Sequence, residues 1–189
     1  KQSLIKYNSI LETSKFNTTS YSGISGIYFN HLLKEIVKIG NFRGKNSRIL
    51  DFGCGEGIFK KLLKRLNPDL KVINYDVKKE YSDIDNWQEE SFDVVVANEV
   101  FYYLNSAELE KLLLEFKKKN PNLEIIVGTS KQSWLNTLGQ ILLFQINSHK
   151  NTILKPKEEL NILTKHLNII DHKSVWFLAD VYRLSFKKE

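Results

Sequence analysis

The chain has few of the residues that cross-link or segment a polypeptide. A single cysteine, Cys54, among 189 residues excludes an intrachain disulfide framework and a cysteine-based structural zinc site. It also makes the reducing cytoplasm the expected compartment. Methionine is absent, and the three prolines are scattered. With no Pro/Gly-rich linker and no internal repeat, residues 1–189 read as one domain, long enough to bury its own core. No stretch approaches the roughly 20 uninterrupted apolar residues of a spanning helix. The apolar run at 141–144 is broken by Gln145 and Asn147, and the first residues lack a signal-peptide layout, so no membrane span is expected.

Charge is lopsided instead. Lys and Arg number 28 against 22 Asp and Glu, a formal excess of +6. Such a balance permits a nucleic-acid or anionic partner without demanding one. The basic clusters Lys60 with Lys61, Lys64 with Arg65, and Lys117 to Lys119 fall on polar faces of amphipathic segments. They are not interleaved with aromatics as a base-stacking platform requires, so they read as solvated faces.

Hydrophobic spacing gives the organisation. Residues 1–27 form a polar arm rich in Ser, Thr and Asn. Helical spacing follows over 28–39, with Gly40 as its stop. Segments 47–52, 70–75, 92–97 and 123–127 read as short strands, and the near-continuous apolar run at 92–97 suits a parallel strand covered on both faces. Between them lie an amphipathic helix closed by Asn67 and Pro68, and another opened by a capping box of Asn105 and Glu108. A further apolar helix is expected over 134–146, then one opened by Pro156 and running to His166. Segments 168–176 and 181–186 close the chain as an antiparallel pair. Strands alternating with helices imply a doubly wound, mostly parallel α/β sheet.

The informative segment is Asp51-Phe52-Gly53-Cys54-Gly55-Glu56-Gly57, where a strand runs straight into a helix. Glycines at alternate positions allow a sharp turn and leave no Cβ between the backbone and a ligand. A dinucleotide fingerprint needs its third glycine where Ile58 stands, and no Gly-Lys-Ser/Thr follows for a P-loop. Asp51 would repel a pyrophosphate but welcome a cation. Asp76, closing the next strand, can accept hydrogen bonds from both hydroxyls of a ribose. A ligand with a ribose, an amino group and no phosphate fits these features. Cys54 reads as a small filler of the loop rather than a nucleophile.

This constellation resembles the class I S-adenosylmethionine-dependent methyltransferases, in particular the small-molecule, ubiquinone-biosynthesis-like branch. The resemblance covers residues 28–186 and rests on the glycine loop, on Tyr75-Asp76-Val77, and on the run from Ser91 to Leu104. It implies a Rossmann-like fold of seven strands, mostly parallel with an antiparallel C-terminal strand. It also implies S-adenosyl-L-methionine as cofactor, no metal, and a helical substrate-side cap over 129–167. By that resemblance Asp51, Phe52, Gly53, Cys54, Gly55 and Gly57 hold the methionine part of the cofactor. Asp76 holds its ribose and Val77 packs on adenine. Asn98, Glu99 and Val100 line the cofactor near the transferring methyl. The segment 76–92 is short for the family, which leaves the acid at the adenine amino group open between Asp83 and Asp85, with Asp85 preferred. Tyr103 stands where many relatives carry a histidine.

The expected reaction is methyl transfer to an O, N or C nucleophile of a small molecule. A general base is needed only if that nucleophile must lose a proton. Tyr21, Tyr28, Tyr102, Tyr103 and His149 are available, with Tyr103 and His149 foremost; His31, His166 and His172 read as structural. An RNA or protein methyltransferase, suggested by the charge, and a non-catalytic cofactor-binding partner subunit are the alternatives.

Overall fold

The computed structural model describes residues 23–42, 47–131 and 153–188. Tyr21, His149 and the helix expected over 134–146 lie outside the described residues. Helix α1 (Gly23–Gly40) starts within the expected polar arm, and Asn41, at a φ of 46°, takes the left-handed position just beyond it. Strand β1 (Arg48–Phe52) leads through the glycine loop into α2 (Ile58–Leu66), and β2 (Lys71–Tyr75) follows. Strand β3 (Val94–Asn98), α3 (Ser106–Lys119) and β4 (Glu124–Ser130) come next. Helix α4 (Pro156–His166) then precedes the hairpin of β5 (Leu167–Val175) and β6 (Ala179–Phe186).

These strands form one sheet in the order β2-β1-β3-β4-β6-β5. The first four in that order pair in parallel, and β6 pairs antiparallel with both neighbours. The sheet thus has six strands among the described residues, where seven were expected. The reason is the connector after β2. Its residues form two short 3-10 turns, Lys79–Tyr81 and Trp87–Glu89, and leave no segment to add a strand outside β2.

Strand residues alternate between two buried layers. Ile49, Val94, Val96 and Ile126 pack with α1 and α2, while Leu50, Val95, Ala97, Ile125 and Val127 pack with α3 and α4. Burial on both faces explains why β3 is apolar at successive positions. The capping box of α3 forms as its sequence predicts: Glu108 N–H donates to the Asn105 side chain at 3.0 Å, and Asn105 N–H donates to the Glu108 carboxylate at 2.8 Å. Strand β4 extends three residues past the expected end because β6 pairs with it along its whole length. Within the expected cap, residues 132–152 lie outside the described residues, and α4 packs onto the sheet through Ile162 and Leu163. No described helix is long and apolar enough to cross a membrane.

One buried acid belongs to this packing. Glu159 on α4 is 1% exposed; Thr129 Oγ1 donates to its Oε2 at 2.7 Å, and its Oε1 has no partner. Burial pushes this carboxyl up to about 7, with Glu99 adding and the Thr129 hydrogen bond opposing. A raised acid pKa means the folded state holds the proton more tightly than the unfolded chain. Stability is therefore lost as pH rises from the ordinary carboxylate range through about 7. Glu159→Gln should match the native protein in thermal unfolding at pH 5 and exceed it by about 5 °C at pH 8. Equal melting temperatures at pH 8 would contradict the burial of a charge there.

Candidate functional site

The sheet order fixes where a ligand can sit. The chain leaves β1 toward β2 on one side and later returns to place β3 on the other, so the winding reverses at β1. Crevices at such a reversal, beyond the carboxyl ends of the strands, are where open α/β sheets bind ligands. A cavity of about 330 Å³ opens there. Its wall draws on the ends of three adjacent strands: Asp51, Gly53, Cys54 and Gly55 at the end of β1, Asp76 and Lys78 after β2, and Asn98 and Glu99 at the end of β3. Tyr81, Tyr102 and Tyr103 add aromatic surface, and Phe29 and Leu33 of α1 close one side.

The loop's conformation depends on its glycines. Gly53, Gly55 and Gly57 have φ of 73°, 50° and 68°, the left-handed region that side chains resist. A Cβ on Gly55 would meet nothing within 4 Å, because that position faces open space. A Cβ on Gly53 would collide with the Val100 side chain, and one on Gly57 would come within 2.7 Å of Asn74 Nδ2. Only Gly55 therefore leaves room for a ligand against bare backbone. The loop is tied down by Gly53 N–H to Tyr75 O at 2.7 Å and by Gly55 N–H to Asp76 Oδ2 at 3.0 Å. Lys78 N–H occupies Asp76 Oδ1 at 2.9 Å, so the carboxylate is oriented from both sides and keeps lone pairs for a ligand.

Two acceptors on residues of the wall are unanswered. Asp51 Oδ2 and Asn98 Oδ1 are buried without a hydrogen-bond partner. Unpaired buried acceptors are costly and rare; Asn98 Oδ1 packs over Gly128, while Asp51 Oδ2, on a residue of the cavity wall, calls for a donor brought by a ligand. Burial, reinforced by the charges of Asp76 and Asp83 and opposed by Lys60, pushes the Asp51 carboxyl up to about 7. The same surroundings push the Cys54 thiol up to about 12, burial first and then the charge of Asp51. That keeps it a thiol, and its Sγ–H donates to Tyr81 O at 3.3 Å. The filler reading of Cys54 agrees with this chemistry.

Backbone strain marks the β3 end. Glu99 has a φ of 56°, a conformation costing about 1–2 kcal/mol in a residue with a side chain. It is held by its N–H to Gly128 O at 2.8 Å, and Ser130 Oγ donates to its carboxylate at 3.4 Å. Gly128 is required in turn, because a Cβ there would collide with Asn98 Oδ1.

Several sequence-predicted residues lie elsewhere. Phe52 points into the aromatic cluster of Tyr75, Trp87 and Phe116. Gly57 starts α2 against β2, and Val100 packs behind Gly53. Val77 is 89% exposed, and Asp85 is solvent-facing in a pair with Lys79 at 3.2 Å. Asp83 is engaged by Asn74 N–H and Lys60 Nζ, both at 2.7 Å. Of the candidate bases, Tyr102 and Tyr103 line the cavity, whereas Tyr28 packs against Trp176, as does His31. His172 pairs with Asp180 at 3.0 Å on the terminal hairpin, and His166 ends α4.

Sequence reasoning missed Lys78 and Tyr81, which lie in an aperiodic connector. It read Phe29 and Leu33 only as helix core; their spacing on the apolar stripe of α1 was a usable signal.

Residues 26–161 match the family model described as a methyltransferase domain. No curated protein matches the sequence. Solved structures share the fold. The PH0226 protein from Pyrococcus horikoshii OT3 has a TM-score of 0.62 at 13% identity, over 89% of this chain and 95% of that one. The pyocyanin biosynthetic protein PhzM has a TM-score of 0.65 at 12% identity, over 96% of this chain and 62% of that one. Human N-acetylserotonin methyltransferase, solved with S-adenosylmethionine, has a TM-score of 0.56 at 12% identity, over 98% of this chain and 67% of that one. The chain therefore spans only about two-thirds of the length of the latter two.

Proposed function

The chain belongs to the S-adenosylmethionine-dependent methyltransferase-domain family, and we propose that it transfers the cofactor's methyl group to a small-molecule acceptor. The observation that carries the reading is the unanswered acceptor Asp51 Oδ2, on a residue that lines the same cavity as the bare backbone at Gly55. An amino-acid ammonium supplies the donors and the positive charge that this acceptor lacks. Asp76, at the neighbouring strand end, takes the ribose hydroxyls in this reading. When bound, the cofactor supplies a sulfonium-activated methyl, and the chain's own task is to hold an acceptor in line with it and keep water out.

Charge favours a small acceptor over RNA. Among the described residues Asp51, Glu56, Asp76 and Glu99 line the cavity against a single basic residue, Lys78. An acidic rim repels a phosphate backbone, and the exposed lysines Lys61 and Lys64 sit on the outside of α2. At the β3 end Tyr102 is buried and Tyr103 is 44% exposed, which offers an aromatic surface to an acceptor entering there. Two of the neighbours have names that refer to small molecules, pyocyanin and N-acetylserotonin.

The test is transfer of labelled methyl from S-adenosylmethionine into a cell extract fractionated by size. Label in the low-mass fraction is the expected result. Label in RNA or protein would establish the macromolecular alternative. Cofactor binding with no label in any fraction would establish a non-catalytic partner subunit.

A further inference from the structure

The cavity wall carries more negative charge than the cofactor reading uses. On that reading Asp51 takes an ammonium at the end of β1 and Asp76 takes the ribose after β2. Of the other two acids in the described wall, Glu56 sits in the glycine loop. Glu99 follows β3, on the side of β1 away from β2.

The backbone at Glu99 is one that glutamate resists. At a φ of 56° a glycine or asparagine would sit at lower cost. Strain of this kind clusters at ligand sites, where the surrounding structure imposes it. Here the hydrogen bond from Glu99 N–H to Gly128 O does so. A second acid stands behind the first: Glu159 is buried with Oε1 unpartnered, and its carboxyl feels the charge of Glu99. Among the described residues the one basic group of the wall, Lys78, lies at the other end, after β2.

The surface beside Glu99 is aromatic. Tyr102 and Tyr103 line the cavity with ring centroids 4.7 Å apart and planes inclined by 55°. The face of a tyrosine ring attracts a cation. Phe29 and Leu33 add an apolar wall for a carbon skeleton. A carboxylate, two aromatic rings and an apolar wall complement an organic ammonium and disfavour an anionic acceptor.

Resting on the cofactor reading above, we propose that the acceptor is a small organic amine, held by Glu99 and methylated on nitrogen. The amine enters as an ammonium and passes one N–H proton to the Glu99 carboxylate. Its freed lone pair forms the N–CH3 bond as the S–CH3 bond breaks, and the bonding pair stays on sulfur as a neutral thioether. The product leaves as a methylated ammonium, and Glu99 returns its proton to water.

The test uses S-adenosylmethionine carrying a labelled methyl carbon and an extract of cells grown on labelled nitrogen. In NMR spectra of the low-mass product, the methyl carbon signal should be split by its bond to labelled nitrogen. A low-mass product with an unsplit methyl signal would overturn the inference and leave the cofactor reading standing. No label in the low-mass fraction would instead overturn the small-molecule reading on which the inference rests. Glu99→Gln should cut incorporation by about tenfold or more, because the ammonium loses its charged partner. Its affinities for S-adenosylmethionine and S-adenosylhomocysteine, by calorimetry, should stay within about threefold of native. Undiminished incorporation would overturn the role of Glu99. So would a larger loss of affinity for either compound, which would assign the carboxylate to the cofactor. Should Glu99→Gln fail to fold, Glu99→Asn, which suits a left-handed backbone, is read in the same way.

Discussion

Replacing Asp76 with alanine is expected to lower affinity for S-adenosylhomocysteine by at least about 100-fold, because two hydrogen bonds to a charged acceptor are lost together. The loss has a second component in the backbone. Asp76 Oδ2 accepts from Gly55 N–H at 3.0 Å and Oδ1 accepts from Lys78 N–H at 2.9 Å, so the same carboxylate anchors both the glycine loop and the start of the connector. Asp76→Asn keeps one acceptor oxygen and should lose only about tenfold. Calorimetry on the two variants, with unfolding curves to show that each remains folded, separates ligand contact from loop anchoring. Native-like affinity in Asp76→Ala would remove the ribose assignment.

The second large effect is a pH dependence of cofactor binding. Burial among Asp76 and Asp83 pushes Asp51 up to about 7, so the empty site carries a proton on that carboxyl below neutrality. An ammonium at Asp51 favours the ionised form, and binding therefore releases the proton. Affinity for S-adenosylmethionine should rise about tenfold per pH unit up to about 7 and level off above it. Heats of binding measured at pH 6 should vary with the ionisation enthalpy of the buffer, and Asp51→Asn should abolish that variation. The apoprotein carries the opposite linkage. A carboxyl raised from its ordinary value costs the fold stability as pH rises toward 7, and bound cofactor offsets the loss. Affinity that is flat between pH 5 and 8 would contradict this placement of the ammonium.

The parts of the molecule legible in its sequence are those governed by short-range rules. The strand run at 92–97, the Asn105 and Glu108 capping box, the stop at Asn67, and the glycine loop each carry their signal within a few residues. Asp51 and Asp76 followed from the same logic, because a strand end in a parallel sheet fixes where its last side chain points. The connector after β2 obeys no period, so the difference between Asp83 and Asp85 could not be read from spacing. Only the packing shows that Asp83 meets Asn74 N–H and Lys60 while Asp85 faces solvent beside Lys79. Tyr81 depends likewise on a turn held by a thiol from the glycine loop. The count of strands failed at the same place. Family spacing implies a strand beside β2, but this connector is spent on two 3-10 turns.

Exposure also misleads where one side chain serves two layers. Phe29 and Leu33 fit the apolar stripe of α1 and were assigned to the core, yet that stripe also closes the cavity beyond the sheet. Glu159 gave no sequence signal at all. Its place in the first turn of α4 suits a solvent-facing acid near a helix N-terminus, and only the packing against Thr129 buries it.

Crystals of the protein grown with saturating S-adenosylhomocysteine give the most direct measurement of the site. The expected density lies across Gly55, with the amino group at Asp51 and the ribose on Asp76. Ligand density away from the glycine loop, or none in the cavity, would contradict the assignment of this crevice as the cofactor site.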